Sequence, residues 1–303
     1  LKNATPVSTL AIEIGARPED YVYYHLFKGK KPVVDDPEQV LLINNWSLSD
    51  YQFSSFDGKV TPLLLGNYYR DDLSSFMTAE EFAETAKEAG CIPRVGYLRM
   101  DVDRLGQIFA HGLDATNNYS LPRIAGLSRQ MSYFFKSYLN SLAKYRQSNL
   151  PDPAQCLTES DRPNLLFIYA GGDDLFVSGA WNEVTDFAFD VYQSFRAYTG
   201  NNPDITLSGG ISLAVPKFPL YQAANESGDA ESEAKGNDRN SLGLFGFAFK
   251  WKEWFGTDAL EEKEVRNDMI KVIEKREQNY WTARKSDLNR PTILGVIPFV
   301  KRI

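Results

Sequence analysis

Hydrophobic and polar positions alternate along the central part of the chain with two periods, one typical of strands and one typical of helices. Short apolar runs rich in β-branched and aromatic residues predict β-strands. Five strands are predicted on this basis, at Gly96–Asp103, Leu165–Tyr169, Leu175–Val177, Ile205–Val215 and Leu242–Phe249. Within the fourth, Gly209–Gly210 indicates a bulge or a close approach of another backbone.

Helical spacing separates these strands. Thr78 and Glu81 have the spacing of a capping box, and the helix that they begin is expected to stop at Gly90. Between the first and second strands, Leu121–Arg146 carries apolar residues at i, i+3, i+4 and i+7. This pattern predicts one long amphipathic helix with a single buried face.

Two further helices complete the order. Asn182 is expected to cap a helix that ends before Gly200, and Leu220–Ala234 predicts a helix that Gly228 weakens. The order is then β, α, β, β, α, β with a further α and β, the split βαβ arrangement of ferredoxin-like palms. The sequence therefore predicts an α/β (α+β) fold in which helices stack on one face of the sheet.

The two ends of the chain differ from this central region. Residues 1–77 predict a small, mostly β accessory or linker region. Its strands are predicted at Ser8–Ile14, Tyr21–Phe27 and Val40–Ile43. Residues 256–303 predict a charged helix over Asp258–Arg284 and an apolar tail at Thr292–Val300. We therefore expect three parts, with the palm occupying residues 78–255.

Composition narrows the class of protein. The chain has 303 residues, 43% of them hydrophobic and 13% aromatic, enough for a sizeable core. Because no apolar run approaches the roughly 18 residues of a membrane span, we expect a soluble, cytoplasmic protein with no membrane partner. A net charge of −7 argues against broad nonspecific binding of nucleic acid. Cys91 and Cys156 form no CxxC pair and are expected to be buried free thiols.

The stretch Tyr169–Val177, YAGGDDLFV, carries the clearest chemistry. Gly171 and Gly172 predict a hairpin turn that a ligand can approach closely, with Asp173 and Asp174 at or just past its tip. Two adjacent carboxylates repel each other unless a cation lies beside them. Because Mg²⁺ and Mn²⁺ prefer oxygen ligands, the pattern indicates a divalent metal site. The alternative is a solvated acidic turn.

Two more acids follow the first palm strand. Asp101 and Asp103 point to the same face of an extended chain. Asp103 has two interpretations, a metal ligand or a cap for a helix that begins near Leu105. Asp101 has no capping role, and a carboxylate that ends an apolar strand needs a partner. The hairpin acids across the sheet are the obvious partners.

Five motifs in order give the chain a family resemblance. They are LRMDVDRLGQIF, LPRIAGLSRQMSYFF, GGDDLF, NNPDITLSGGI followed by AK-x-x-x-RN, and the LFG of Leu244–Gly246. This order resembles the nucleotidyl-cyclase-like palm shared by diguanylate cyclases and the CRISPR polymerase. The hairpin reads GGDDLF and not GGDEF, so the motifs together look like the second palm domain of the type III CRISPR effector large subunit, the cyclic-oligoadenylate synthase. The resemblance covers about residues 78–255.

The resemblance implies an ATP-dependent nucleotidyltransferase of antiviral defence. In that family the palm joins ATP 3′ to 5′ into cyclic oligoadenylates when the complex holds target RNA. The implied cofactors are two Mg²⁺ or Mn²⁺ ions, and the implied partners are other subunits of the ribonucleoprotein, crRNA, target RNA and ATP. Asp101, Asp173 and Asp174 match the catalytic acids and metal ligands, and the carbonyl of Val102 adds a further metal ligand.

The nucleotide itself is expected to meet a second set of residues. Lys235 and Arg239 match the basic residues near the triphosphate, with surface solvation as the alternative. Gly171 and Gly172 let the phosphates approach, and Ser208 either meets the adenine or simply lies in its strand.

Some parts of the family pattern are missing from this sequence. It has no His-Asp dipeptide for the family's nuclease domain and no cysteine quartet for its zinc element. A chain holding only this palm would need a partner palm to place both ATP molecules. Two other functions remain open, an idle architectural subunit that anchors the 5′ tag end of the crRNA and a diguanylate-cyclase-like enzyme. Asp174 in place of glutamate disfavours the latter.

Overall fold

The structure is a computed structural model, and it describes residues 7–13, 17, 21–27, 39–47, 59–64, 66–70, 75–111, 120–151 and 161–255. It divides into two compact units, one formed by Leu1–Asn45 with Ser49–Leu63 and the other by Trp46–Leu48 with Leu64–Ile303. The predicted helix over Asp258–Arg284 and the tail at Thr292–Val300 lie outside the described residues. Within the described ranges, no helix is long and apolar enough to cross a bilayer.

The smaller unit consists of paired strands. Strands β1 (Ser8–Glu13) and β2 (Tyr21–Leu26) form an antiparallel hairpin. Strands β3 (Gln39–Ile43) and β4 (Lys59–Leu63) form a parallel pair. The three strands expected here are confirmed, and β4 was not predicted because Pro62 and a nearby Gly58 suggested a loop.

The larger unit is built on a six-stranded sheet in the order β10-β9-β8-β5-β7-β6. Its strands are β5 (Val95–Val102), β6 (Leu165–Ala170), β7 (Asp174–Ala180), β8 (Leu207–Ala214), β9 (Ser241–Leu244) and β10 (Phe247–Lys250). Neighbouring strands are antiparallel except β8 and β9, which are parallel. This mixed sheet confirms the predicted palm class.

The single strand predicted over Leu242–Phe249 is wrong, because this run forms the hairpin of β9 and β10. Phe245 and Gly246 both have positive φ, 57° and 75°, and make a tight turn between the two strands. Type I′ turns need positive φ at both central residues. A phenylalanine in the first of these positions conceals the turn within a continuous apolar run.

Eight α-helices and one π-helical segment are found among the described residues. The helices are α1 (Ala79–Glu88), α2 (Leu105–His111), α3 (Leu121–Tyr133), α4 (Leu139–Lys144), α5 (Arg146–Asn149), α6 (Trp181–Tyr198), α7 (Leu220–Gly236) and α8 (Trp251–Phe255). The capping box of Thr78 and Glu81 is present, and Gly90 follows α1 with a φ of 79°.

Two helix predictions need correction. The helix predicted over Leu121–Arg146 is interrupted by a π-helical segment at Phe134–Tyr138. A π segment fits an extra residue into the turn, and here it lies where Phe134 and Phe135, adjacent in sequence, are both fully buried. Asn182 does not cap α6, because the residue before the helix is Ala180 and no side chain caps that end.

Helices cover both faces of the sheet, so the expectation of one covered face is wrong. Added Cβ atoms at Gly96 and Gly210 would meet opposite layers, Trp181 of α6 and the backbone of α7. The register of β5 and β8 runs without a shift through Gly209 and Gly210, so there is no bulge, and Gly210 allows the close approach of α7. Because β5 and β8 lie inside the sheet and are buried on both faces, each face has a helical layer over it.

Candidate active site

The hairpin of β6 and β7 presents the predicted acids at its tip. The N–H of Gly171 donates to the carbonyl of Asp174 at 2.9 Å, which leaves Gly172 and Asp173 as the turn. Neither glycine has positive φ. At Gly171 a Cβ would overlap the hydroxyl of Tyr169 and the carboxylate of Asp174, so a larger residue here would displace these two side chains.

Strand register brings the third acid to the same place. Asp101 lies opposite Asp174 of β7 on one side and opposite Ser208 of β8 on the other. The N–H of Val102 donates to the carbonyl of Asp173 at 3.2 Å, which joins the end of β5 to the hairpin tip. Residues directly opposite in adjacent strands share a face, so the side chains of Asp101 and Asp174 emerge together.

Negative charge is concentrated at this end of the sheet. The pKa of Asp173 is raised by burial and then by the carboxylates of Asp101 and Asp174, and the ammonium of Lys235 only partly offsets this. The nearby hydroxyl of Tyr169 also has a raised pKa, chiefly because of Asp174. A bound cation would relieve this repulsion.

Lys235, near the end of α7, supplies the positive charge nearest to these acids. Its ammonium pairs with Oδ2 of Asp101 and, at 2.6 Å, with Oε1 of Glu231 one helical turn earlier. Glu231 is 8% exposed and also lies 3.6 Å from Nε of Arg99. Burial lowers the pKa of Lys235, but the bonds to Asp101 and Glu231 outweigh burial and the net shift is upward. Lys235 is therefore a charged, oriented member of the site.

Asp103 has a role that neither interpretation anticipated. It is 2% exposed, and its carboxylate accepts hydrogen bonds from the hydroxyls of Thr206 and Ser208, both at 2.7 Å, and from the N–H of Asn240 at 3.1 Å. These contacts occupy both oxygens, so the carboxylate is neither a helix cap nor an open metal ligand. Ser208 is fully buried, which places it in its strand with its hydroxyl on Asp103.

Arg239 lies on the loop between α7 and β9. It is half-buried, and the next residue, Asn240, contacts Asp103 through its backbone. The loop thus lies beside the end of β5 that carries Asp101. A contact between Arg239 and a phosphate stays a prediction.

Comparison with known proteins identifies the domain. Residues 94–243, which include every predicted site residue, match the family described as Cas10/Cmr2, second palm domain. The chain carries a Cas10/Cmr2 second palm domain. The predicted resemblance to the type III CRISPR large subunit is confirmed.

Individual relatives agree with this assignment. The chain is 36% identical over 201 residues to the CRISPR system single-strand-specific deoxyribonuclease Cas10/Csm1 (subtype III-A) of Mycobacterium tuberculosis, covering 63% of this chain and 24% of the relative. The Streptococcus thermophilus protein of the same description is 34% identical over 220 residues, covering 71% and 26%. The chain therefore spans about a quarter of the length of these curated relatives.

Solved structures support the fold of the Cas10 palm. The Csm1–Csm4 cassette in complex with pppApApA has a TM-score of 0.56 and 22% identity, covering 92% of this chain and 42% of that one. Csm1 of T. onnurineus has a TM-score of 0.56 and 24% identity, covering 89% and 43%.

The donors in the Cas10 palm suit hard divalent cations in their chemistry. Asp101, Asp173 and Asp174 offer carboxylate oxygens, and Val102 offers a carbonyl. Among the described residues, however, no three acidic, histidine or cysteine side chains are already arranged around one point. A cation that used Asp101 would compete with Lys235 for its Oδ2 atom. The charge and the donor type thus fit a metal, which would share the Asp101 carboxylate with Lys235.

Sequence reasoning missed two participants in this Cas10 site. Glu231 holds Lys235, and the i, i+4 spacing of this pair was a readable signal. The hydrogen bonds from Thr206 and Ser208 to Asp103 could not be read from local spacing, because they join parts of the chain about 100 residues apart in sequence.

Proposed function

We propose that this palm joins ATP into cyclic oligoadenylates by two-metal nucleotidyl transfer, within a type III CRISPR RNA-guided complex that holds target RNA. The observation that carries the proposal is the strand register that sets Asp101 opposite Asp174, with Asp173 beside them. In support, related Csm1–Csm4 cassettes have been solved in complex with one ATP and with cA4.

Each polar group at the sheet end has a role in the proposal. Asp101, Asp173 and Asp174 hold two Mg²⁺ or Mn²⁺ ions, with the carbonyl of Val102 as a further ligand. When bound, such a pair activates a ribose 3′-hydroxyl and stabilises charge on the α-phosphate and the departing pyrophosphate. The protein must also align the reacting groups, and the buried hydrogen bond between Ser208 and Asp103 makes this end of the sheet rigid.

Lys235 and Arg239 bind the triphosphate in this proposal. The ammonium of Lys235 already lies on Asp101, so a phosphate bound beside that carboxylate is within its reach. Glu231 keeps the ammonium oriented when it leaves Asp101, because its own bond to Lys235 lies within α7. The positive charge of both side chains complements the phosphates.

One observation favours a second candidate, an architectural subunit that anchors the 5′ tag end of the crRNA. The Lys235–Asp101 ion pair already neutralises one of the three acids. A scaffold would keep such a pair permanently, whereas an enzyme must release it when substrate and metal bind.

One assay separates these functions. The assembled complex is incubated with radiolabelled ATP or GTP, Mg²⁺ or Mn²⁺, and target RNA. We expect labelled oligoadenylate from ATP, and we expect Asp173→Ala with Asp174→Ala to reduce it by at least about a hundredfold. The matched control is Asp204→Ala with Asp229→Ala, which removes two exposed acids outside the site.

Each outcome has a distinct meaning. Undiminished synthesis by the Asp173/Asp174 variant would refute the metal ligands, provided that gel filtration shows equal assembly. Turnover of GTP alone would favour a diguanylate-cyclase-like enzyme. An assembled wild-type complex that makes no product from either nucleotide would favour the scaffold.

A further inference from the structure

The loop that follows α7 has an unusual backbone. Asp238, Arg239 and Asn240 have φ values of 55°, 59° and 48°, so three successive non-glycine residues are left-handed. Asparagine and aspartate tolerate this region, but arginine has no such preference. Conformations of this kind cost about 1 kcal/mol or more each and persist only where surrounding contacts enforce them. The loop must therefore be held by something outside itself.

Lys250, on β10, is the principal holding group. Its ammonium donates hydrogen bonds to three successive carbonyls of the loop, those of Asn237 at 2.7 Å, Asp238 at 3.0 Å and Arg239 at 2.7 Å. A lysine ammonium has three donors, so all of them are used here. The left-handed backbone is what lets three carbonyls in a row converge on one point.

These bonds do not simply cap α7. Lysine often binds the unsatisfied carbonyls in the last turn of a helix. The helix ends at Gly236, and the carbonyls that Lys250 binds all lie after that residue. Lys250 therefore binds the C-cap residue Asn237 and the two loop residues that follow it, and so fixes the loop beyond the helix.

A second set of bonds, from residues outside β10, also fixes the loop. The N–H of Asn240 donates to Asp103, which lies two residues after Asp101 on the chain. The hydroxyl of Ser241 donates to the carbonyl of Arg239 at 2.6 Å. Arg239 thus stands between contacts from β10 and contacts from the end of β5, while its own side chain is only half-buried.

We propose that Lys250 is a positioning residue that sets the direction of Arg239 toward the phosphates of the bound nucleotide. This role rests on the proposed function above. Lys250 itself does not touch substrate, because its three donors are occupied by the loop. Its contribution is to enforce the left-handed backbone from which the Arg239 side chain leaves.

The test uses the assembled complex and two ATP measurements, the equilibrium Kd with Mg²⁺ and the KM in the synthesis assay. Lys250→Met is expected to raise both about tenfold, the size of one lost charged hydrogen bond. Arg239→Ala is expected to raise them similarly, and the double variant no further than Arg239→Ala alone. Lys217→Met, an exposed lysine beyond the far end of β8, is the matched control and is expected to change neither.

A structural measurement accompanies the binding data. Hydrogen exchange of the Asn240 amide, followed in the full chain without nucleotide, is expected to quicken in Lys250→Met and to stay unchanged in Lys217→Met. Lys250→Arg keeps the charge and several donors and is expected to recover part of the affinity.

The results separate this proposal from the proposed function. Additive effects of Lys250→Met and Arg239→Ala would overturn the positioning role, since Lys250 would then act independently of Arg239. Faster exchange with unchanged Kd would also overturn it. A wild-type complex that binds ATP and makes no product would reject the proposed function alone, because the Kd comparison still decides the role of Lys250. Failure of the wild type to bind ATP would overturn both.

Discussion

Two clusters of three acids in the palm differ in their bonding partners and in their exposure to solvent. Asp101, Asp173 and Asp174 gather at the end of the sheet, partly open to solvent, and Asp101 pairs with the ammonium of Lys235. A second group, Glu183, Asp186 and Asp190, lies along α6. Burial raises the pKa of Asp173 in the first cluster and of all three carboxyls in the second, so a raised pKa alone does not distinguish a site from a structural network.

Arginines pair with two of the three acids of the α6 cluster, which is mostly shielded from solvent. Arg146 makes a two-pronged contact with Asp190, at 2.6 and 3.1 Å, and both side chains are 2% exposed. Arg162 pairs with Asp186 at 2.8 Å. Glu183 accepts two bonds from Asn164, through its backbone N–H and its side-chain amide. Nearly every acidic oxygen described here has a fixed partner.

The contrast shows what makes a carboxylate cluster available for chemistry. Bidentate guanidinium partners satisfy planar carboxylates and leave no ligand position. A lone lysine can turn away, and the two hairpin acids have no such guanidinium clamp among the contacts described. The carboxylates of the α6 cluster are therefore neutralised by their partners, while the cluster at the sheet end keeps an excess of negative charge for a ligand.

The largest effect should come from breaking a buried pair. Arg146→Met leaves Asp190 buried without its partner, so we expect the free energy of unfolding to fall by about 3–5 kcal/mol. Urea denaturation of the chain measures this. Lys87→Met, which removes an exposed ion pair with Glu84, is the control and is expected to leave the free energy of unfolding nearly unchanged, because solvent screens that pair. Equal losses in the two variants would contradict the contrast between the clusters.

A smaller effect is expected in the pH dependence of the free energy of unfolding, through the titration of Asp186. Burial outweighs the attraction of Arg162 and raises the pKa of Asp186 from its usual 3.8 to about 6. A group whose pKa is raised on folding contributes stability below its unfolded pKa and loses this contribution as pH rises through its folded pKa. From pH 5 to 7.5 the wild type should lose about 1 kcal/mol relative to Asp186→Asn.

Unfolding curves at the two pH values test this expectation, with the exposed Asp229→Asn as control. A constant difference between the wild type and Asp186→Asn across this range would mean that the pKa of Asp186 is not raised. The degree to which buried carboxylates are destabilised would then not distinguish the three acids at the sheet end from those on α6.

Local patterns predicted much of the fold. The capping box, the alternation of strands and helices along the palm and the GGDD hairpin all depend on residues close in sequence, and all were found except that the last predicted strand forms two. The second helical layer was missed because it depends on tertiary packing of α7 against Gly210 and Gly243, glycines whose meaning is visible only once the helix lies on them. The π segment was missed because a helical period of apolar residues does not specify one extra residue in a turn.

In the candidate site, too, the features set by local sequence were predicted and those set by tertiary contacts were not. The three acids and Lys235 were predicted from motifs, and strand register brought them together. The buried role of Asp103 and the loop anchor at Lys250 were not predictable, because their partners come from distant strands and from backbone carbonyls that no sequence pattern displays.

The smallest effect provides the most direct test of the site cluster. Burial and the charges of Asp101 and Asp174 raise the pKa of Asp173 on folding, so ionised Asp173 lowers the free energy of unfolding at pH 7.5. This loss is recovered as the pH falls toward the pKa that Asp173 has in the unfolded chain. Asp173→Asn should therefore raise the free energy of unfolding, by roughly a few tenths of a kcal/mol because solvent screens this half-exposed group. Mg²⁺ should reduce the difference by stabilising only the wild type. A loss of stability in Asp173→Asn without Mg²⁺ would mean that the three acids do not repel one another, and the sheet end would then resemble the neutralised cluster on α6.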